Sequence, residues 1–184
     1  MLLPTIETRR LRLRPFVAAD APAVQVYVGE WDVASTTAAI PHPYEPGMAE
    51  AWIASHSAEA AEGQGLTLAI DDRAENRLVG SIALRLAAEH ARGELGYWIG
   101  KPHWRRGYVT EAAAAVMAYG FDTLELNRIE AHHLAGNTAS GRVLQKLGMT
   151  REGCMRDHVR KWESFHDVEG YSILRREYQP QRGT

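Results

Sequence analysis

Residues 9–16 alternate between arginine and apolar side chains. Arg10, Arg12 and Arg14 fall on one face, and the apolar residues between them fall on the other. A period of two over this length is typical of a half-buried strand. The pattern therefore predicts a strand over residues 9–16 whose arginines form a solvated face.

Helical periodicity or a helix-favouring composition marks four further segments, which cover residues 21–30, 48–62, 111–121 and 137–147. Asp20 occupies the N-cap position of the first predicted helix, and Pro22 lies just inside it. Gly63 and Gly148 follow the second and fourth helices, where a glycine commonly ends a helix. A loop with three prolines, residues 40–47, separates the first two helices.

Short apolar segments between these helices predict the remaining strands, over residues 66–70, 78–86, 93–99, 128–134 and 168–177. The first two are joined by a polar hairpin loop through Asp71, Asp72 and Asn76. Hairpins combined with strand–helix alternation predict a mixed sheet flanked by helices, an α/β (α+β mixed) fold. Because no repeat or long linker divides the chain, we expect one domain over residues 1–184.

Composition narrows the functional classes. The 184 residues are 45% hydrophobic and 24% charged, a balance that argues against a disordered or fibrous chain. A net charge of −2 argues against nucleic acid as a partner. No apolar run approaches the roughly 20 residues of a membrane span, and we expect no membrane partner and no signal peptide. Cys154 stands alone, which excludes an internal disulfide and favours a cytoplasmic location.

The segment 94–115 contains a strand end, a loop with two arginines and a glycine, and a helix start. Free N–H groups at a helix start, together with the helix dipole, favour an anion such as phosphate. Gly107 would let the backbone approach that anion closely, and Arg105 and Arg106 would add charged contacts. A purely structural connection has the same spacing, so the pattern alone leaves both interpretations open.

Family motifs strengthen the phosphate interpretation. Residues 104–112, WRRGYVTEA, resemble the acetyl-CoA pyrophosphate loop of the GNAT acyltransferases. Further matching segments follow the order of that family along nearly the whole chain, at residues 8–15, 94–99, 137–140, 146–149, 152–153 and 166–168. The chain most resembles the branch that acetylates the N-termini of ribosomal proteins (RimJ/RimL-like).

The resemblance implies a GNAT fold, whose mixed central sheet is splayed between its fourth and fifth strands, with acetyl-CoA in the gap. It implies that the backbone around Tyr97, Trp98 and Ile99 pairs with the pantetheine arm and that Asn137 hydrogen-bonds to it. It also implies that backbone N–H groups of one loop hold the pyrophosphate, namely those of Arg105, Arg106, Gly107, Tyr108, Val109 and Thr110.

For catalysis, the resemblance implies direct attack of an amine on the thioester. A backbone N–H near Trp98 or Ile99 would stabilise the oxyanion, and Ser140 would protonate the departing thiolate. Asn137 and Ser140 are also good helix caps, so simple capping of the following helix stays an alternative.

The chain departs from the family pattern at two positions that bear on function. Val109 adds bulk where backbone would meet phosphate, and Val159 stands where some relatives have a carboxylate base. We expect Glu94 to replace that base, because burial would raise its pKa toward neutrality; pairing with an arginine is the structural alternative. Asp157 and His158 are weaker candidates.

The missing base bears on the acceptor. An α-amino group with a pKa of about 7.7–8.0 is roughly one-tenth neutral at pH 7, whereas a lysine at about 10.4 is neutral about once in two thousand. We therefore expect the α-amino group of a protein or peptide. A small-molecule amine acceptor and a non-catalytic acetyl-CoA sensor stay open. The resemblance places the acceptor near Trp31, His42, Tyr44 and Trp52.

Two further expectations concern metals and assembly. His132 and His133 are adjacent on a predicted strand, so they point to opposite faces and cannot chelate one ion together. No histidine pair has a zinc spacing and one cysteine is present, so we expect no metal. The resemblance also implies a possible homodimer through the C-terminal strands.

Overall fold

An eight-stranded mixed sheet forms the centre of the computed structural model, which describes residues 2–179. The strands are β1 (Ile6–Glu7), β2 (Leu11–Pro15), β3 (Gly65–Asp72), β4 (Arg77–Ala87), β5 (Arg92–Ile99), β6 (Arg128–Leu134), β7 (Thr150–Lys161) and β8 (Ser164–Leu174). Their order across the sheet is β1-β2-β3-β4-β5-β6-β8-β7. The predicted α/β architecture is confirmed; of the domain expected over 1–184, Met1 and residues 180–184 lie outside the described residues.

Helices cover both faces of this sheet. They are α1 (Ala21–Gly29), the single turn α2 (Trp31–Ala34), α3 (Met48–Ala61), α4 (Tyr108–Asp122) and α5 (Thr138–Lys146). One apolar cluster joins α1 and α3 to Trp98 of β5, and a larger one joins α4 to Leu11 and Leu13 of β2. No helix in the described range is long and apolar enough to cross a membrane.

The four predicted helices and the first five predicted strands are confirmed with shifts of a few residues, whereas β7 is missing from the sequence-based prediction. This strand forms one edge of the sheet, and most of its side chains are exposed. Two register shifts against β8 further interrupt its pattern. An exposed, bulged edge strand lacks the alternation that reveals a half-buried one.

The predicted solvated arginine face of β2 is wrong for Arg14. Its guanidinium binds the carboxylates of Asp20 and Asp71 at 2.7 and 2.6 Å, and all three side chains are largely buried. Asp20 occupies the predicted N-cap position of α1, but its side chain does not cap that helix; the carboxylate accepts hydrogen bonds from Arg14 and from Val17 N instead. Burial opposes ionisation of Asp20, but these hydrogen bonds hold its pKa below the ordinary value.

β5 and β6 form the parallel pair of the sheet, and they separate partway along their length. Their pairing runs from Arg92 opposite Arg128 to Leu95 opposite Ala131 and then stops. On its other edge β5 stays paired with β4 as far as Ile99. The splay predicted between the fourth and fifth predicted strands is therefore present, and the site is built around it.

Candidate active site

The splay opens into a groove of about 1460 Å³. Its walls come from β5, the segment after α2, the loop before α4, the start of α5, and β7. The predicted site residues that line it are Glu94, Tyr97, Trp98, Ile99, Arg105, Gly107, Tyr108, Val109, Thr110, Asn137 and Ser140. Arg106 does not line it: its guanidinium lies 4.0 Å from Glu75.

The loop before α4 presents a run of free backbone donors. Within the described residues, no acceptor pairs with the main-chain N–H groups of residues 105–110. Arg105 and Gly107 have positive φ values of 62° and 77°, which turn the chain into the first turn of the helix. Consecutive free N–H groups at a helix start form a concave site for an anion.

Neighbouring elements hold this loop in place. The indole Nε1 of Trp104 donates to the carbonyl of Ile99 at 2.7 Å. From β2's side, Arg10 donates to the carbonyl of Arg106 at 2.9 Å and to the carboxylate of Glu111 at 2.7 Å. The predicted solvated arginine face is therefore wrong for Arg10 as well, since this side chain links the turn between β1 and β2 to the loop.

Two predicted loop residues are anchored in the protein. The hydroxyl of Tyr108 donates to Asp72, which lies buried in β3 and not in the predicted hairpin loop. This bond raises the pKa of Tyr108 and lowers that of Asp72. Val109 is half-buried and its side chain packs against the core. The extra bulk that was expected to face the phosphate is therefore partly directed into the protein.

Asn137 and Ser140 meet at the start of α5. Asn137 Oδ1 accepts from Ser140 N at 3.1 Å, so the capping interaction is present. Asn137 Nδ2 donates at 3.0 Å to the carbonyl of Thr36, in the segment after α2. One amide therefore links α5 to the opposite wall of the groove and keeps one Nδ2 hydrogen free.

Ser140 also contacts a side chain that the sequence did not single out for its hydroxyl. The Tyr97 hydroxyl lies 2.6 Å from Ser140 Oγ, and Ser140 is buried. Burial raises the pKa of Tyr97 to about 12, although the bond to Ser140 acts in the opposite direction. The result is a pair of neutral hydroxyls facing the splay.

The expected behaviour of Glu94 is wrong in two respects. Its side chain is 41% exposed, and it pairs with Nδ1 of His132 at 3.3 Å and not with an arginine, although the charges of Arg85 and Arg92 also lower its pKa. The hydrogen bond from His132 lowers the pKa of Glu94, against the effect of partial burial. The same bond raises the pKa of His132. The group with a raised pKa at this point is therefore an imidazole.

Space surrounds the Glu94–His132 pair because glycines flank it. A Cβ built on Gly96 or Gly153 would meet nothing within 4 Å, and one on Gly170 would meet the His132 ring at 3.5 Å. His133 points to the opposite face of the sheet from His132, as predicted for adjacent residues of a strand, and its ring stacks on Tyr171 with 5.6 Å between the ring centroids.

The acceptor end of the groove agrees in part with the expected residues. Tyr44 and Trp52 line it, whereas Trp31 packs edge-on against His42 at 5.1 Å and neither lines it. Val159, at the position where the family resemblance implies a carboxylate in some relatives, lines the groove with an apolar side chain. Of the two weaker base candidates, one lines the groove and the other does not. His158 lines the groove, whereas Asp157 lies in the irregular part of β7 and does not.

Two cations on α5 escaped the sequence-based prediction. Arg142 and Lys146 lie four residues apart, one turn of helix, and both line the groove. Their spacing on an amphipathic helix was the signal that would have found them. Within residues 2–179, no three His, Cys, Asp or Glu side chains cluster as metal ligands would.

Comparison with known proteins decides the family. Residues 10–150 match the family model described as an acetyltransferase (GNAT) domain. This chain belongs to the GNAT family. The uncharacterized N-acetyltransferase YoaA of Bacillus subtilis (strain 168) is 33% identical to this GNAT protein over 175 residues, covering 95% of this chain and 98% of YoaA.

Further relatives agree with this assignment. The putative ribosomal N-acetyltransferase YdaF of the same organism is 34% identical over 109 residues, covering 59% of this chain and 60% of YdaF. The crystal structure of a GNAT-family acetyltransferase from Bacillus anthracis superposes with a TM-score of 0.85 at 27% identity, covering 95% of this chain and 100% of that one. This GNAT protein is thus an acetyltransferase, an enzyme of a family that uses acetyl-CoA.

The groove fits that coenzyme. Six free N–H groups, residues 105–110, are suited to its pyrophosphate. Arg105, Arg142 and Lys146 add positive charge along the same groove, which suits its phosphate groups.

Replacement of Arg10 tests the support of this loop. We expect Arg10→Met to weaken acetyl-CoA binding about tenfold, because the Arg106 carbonyl and Glu111 lose their donor. Isothermal titration calorimetry measures the Kd. Arg12→Met is the matched control, since Arg12 lies two residues further along the chain and pairs with the exposed Glu7. Equal affinities for the two variants would contradict the assigned role.

Proposed function

We propose that this enzyme transfers the acetyl group of acetyl-CoA to the α-amino group of a protein or peptide. The observation that carries the proposal is the Glu94–His132 pair beside the splay. Because Glu94 is held as a carboxylate, the base available there is an imidazole whose pKa lies above the ordinary 6.5. Such a base matches an amine that is itself only weakly basic.

The energetic difference between acceptors is large. Proton transfer to this imidazole is less unfavourable from an α-ammonium group, with a pKa of about 7.7–8.0, than from a more basic amine. A lysine ammonium at about 10.4 adds roughly 3 pK units, or about 4 kcal/mol. An apolar Val159 in place of the relatives' carboxylate offers no stronger base. The groove therefore favours an α-amine.

In this mechanism His132 removes the proton from the amine, and Glu94 positions the imidazole of His132. The Nδ1–H of His132 donates to Glu94, which leaves the Nε2 lone pair to take a proton from the amine, directly or through a water. Glu94 thus acts through the imidazole. This replaces the expectation that Glu94 is itself the base.

The thiolate leaves toward the other face of β5. Tyr97 packs against the cluster around α4, whereas Trp98 packs with α1 and α3, as alternation along a strand requires. Glu94 shares the face of Trp98. Ser140, backed by the Tyr97 hydroxyl, protonates the departing sulfur, and a backbone N–H near Trp98 or Ile99 binds the oxyanion.

The coenzyme follows the unpaired edge of β5. Beyond Leu95 this edge has lost its β6 partner, so the backbone of Tyr97, Trp98 and Ile99 is positioned to pair with the pantetheine arm. The free Nδ2 hydrogen of Asn137 adds a further donor. The N–H groups of residues 105–110 hold the pyrophosphate. Arg106 contributes its backbone to this site and not its guanidinium.

Relatives and composition support the setting of the reaction. YdaF is described as a putative ribosomal N-acetyltransferase, and proteins with that activity modify amino groups of proteins. We place the enzyme in the cytoplasm, since its lone Cys154 is typical of a reducing compartment. A homodimer through the C-terminal strands stays a prediction.

Two matched peptides test the acceptor class. One has a free N-terminal alanine and no lysine; the other has a blocked N-terminus and one internal lysine. We expect coenzyme A release with the first peptide and at least about a hundredfold less with the second, given the pK difference. Thiol release is measured at pH 7. Release only with small amines would replace the proposal by a small-molecule acetyltransferase.

Ser140→Ala tests the acid. We expect kcat to fall about a hundredfold with acetyl-CoA affinity unchanged, because proton delivery to the sulfur is lost. Gln145→Ala, on the same helix, exposed and outside the lining of the groove, is the control. A Ser140→Ala variant that keeps the control's kcat would restrict Ser140 to helix capping.

Variants of the pair distinguish base from positioning residue. Acceptor protonation affects wild type and His132→Gln equally, so it cancels when the wild-type kcat/KM is divided by that of the variant. We expect this ratio to rise with pH through the pKa of His132. In Glu94→Gln the rise shifts to lower pH, since the carboxylate no longer raises that pKa. His90→Gln, in an exposed turn, serves as control.

The opposite pattern would contradict these assignments. If Glu94→Gln removed the pH-dependent rise and His132→Gln only shifted it, Glu94 would be the base. If neither variant changed the profile, the pair would have no part in proton removal.

A further inference from the structure

Lys161, the last residue of β7, has a buried ammonium group. The residue is 5% exposed, although the residues after it in the turn to β8 are exposed. Its Nζ donates to the main-chain carbonyls of Ala34 at 2.6 Å and Ile40 at 2.9 Å, and also to that of Thr37. A lysine ammonium has three donors, and here each has a carbonyl acceptor.

No carboxylate among the described residues pairs with the ammonium group of Lys161. None of the ion pairs among residues 2–179 includes it. Its other polar neighbour is the Trp162 ring, 4.8 Å from Nζ. Desolvation lowers the pKa of Lys161 to about 8, so burial of this group is costly to the fold. A buried charge aimed at three carbonyls of one segment indicates a role beyond packing.

The segment that Lys161 holds is a wall of the groove. Residues 36–41 all line it. In the described chain, main-chain hydrogen bonds within this segment end at Thr37 N to Ala34 O. From there to Ile40 the segment depends on side chains for its shape.

Two other contacts fix the same wall. Asn137 binds the Thr36 carbonyl from the α5 side of the groove. At the outer end, Trp162 stacks on Trp31 of α2 at 4.4 Å with an interplanar angle of 15°. The turn after β7 therefore holds α2 and the following segment together.

We propose that Lys161 is a positioning residue that determines acceptor affinity: it holds residues 34–40 in the shape that receives the acceptor. The inference rests on the proposed function only in assigning this wall to the acceptor. Lys161 lies on β7, whereas the groups suited to the coenzyme lie on β5, α4 and α5. The residue therefore acts mainly on the amine; it reaches acetyl-CoA only through the Asn137–Thr36 hydrogen bond, so the Kd of acetyl-CoA changes much less than the acceptor KM.

Lys161→Met tests the proposal, because it keeps the length of the side chain and removes all three donors. Arg160→Met is the matched control, since it removes a positive charge from the adjacent, exposed position. We expect the acceptor KM of Lys161→Met to rise about tenfold or more, with kcat within about threefold and the Kd of acetyl-CoA within about twofold. Arg160→Met keeps all three values.

Hydrogen exchange gives a readout that needs no acceptor. We expect faster exchange of the amides of residues 35–41 in Lys161→Met than in wild type or Arg160→Met, with the amides of β3 and β4 unchanged. If Lys161→Met does not fold, Lys161→Gln, which keeps two donors, takes its place.

The outcomes separate the two proposals. If the wild-type enzyme acetylates neither peptide, the proposed acceptor class is wrong. The acceptor KM is then measured with the small amine that the enzyme acetylates. If exchange in residues 35–41 and acceptor KM both match Arg160→Met, Lys161 has no positioning role. A rise in the Kd of acetyl-CoA equal to the rise in acceptor KM would also overturn the proposal.

Discussion

The site depends on where one hydrogen-bonded ladder ends. β5 and β6 pair over four residue pairs and then separate, while β4 and β8 continue to hold their outer edges. Backbone groups exposed in such a gap lack partners, and unpaired buried backbone is costly. The fold tolerates this cost because each separated strand keeps one complete neighbour. The resulting edge of β5 is a preformed template for an extended ligand.

Separation of these strands also gives the site two sides. Glu94 and Tyr97 are three residues apart on β5, so they face opposite surfaces of the sheet. His132 joins Glu94 on the first surface, and Ser140 joins Tyr97 on the second. In the proposed mechanism, proton removal from the amine and proton delivery to the sulfur are thereby kept apart. Neither group then neutralises the other, although both lie beside one short stretch of strand.

Local pattern predicted most elements, and family motifs predicted the groove, but neither predicted the partners of charged side chains. Arg10 and Arg14 have the alternation of a solvated face, yet Glu111 lies about a hundred residues away in sequence and Asp71 about sixty. Glu94 looked like a buried base until the fold placed His132 beside it. β7 escaped because an edge strand needs no apolar face. Long-range pairing decided each of these cases.

Asn137 has a consequence for the order of events. Its amide caps α5 with one atom and binds the segment after α2 with the other. A ligand that accepts a hydrogen bond from the free Nδ2 hydrogen restricts the motion of this amide. The start of α5 and the segment after α2 are then restricted as well. Binding on one side of the groove is then felt on the other as a change in affinity. Because such coupling is reciprocal at equilibrium, each substrate changes the affinity of the other by the same factor, whichever enters first.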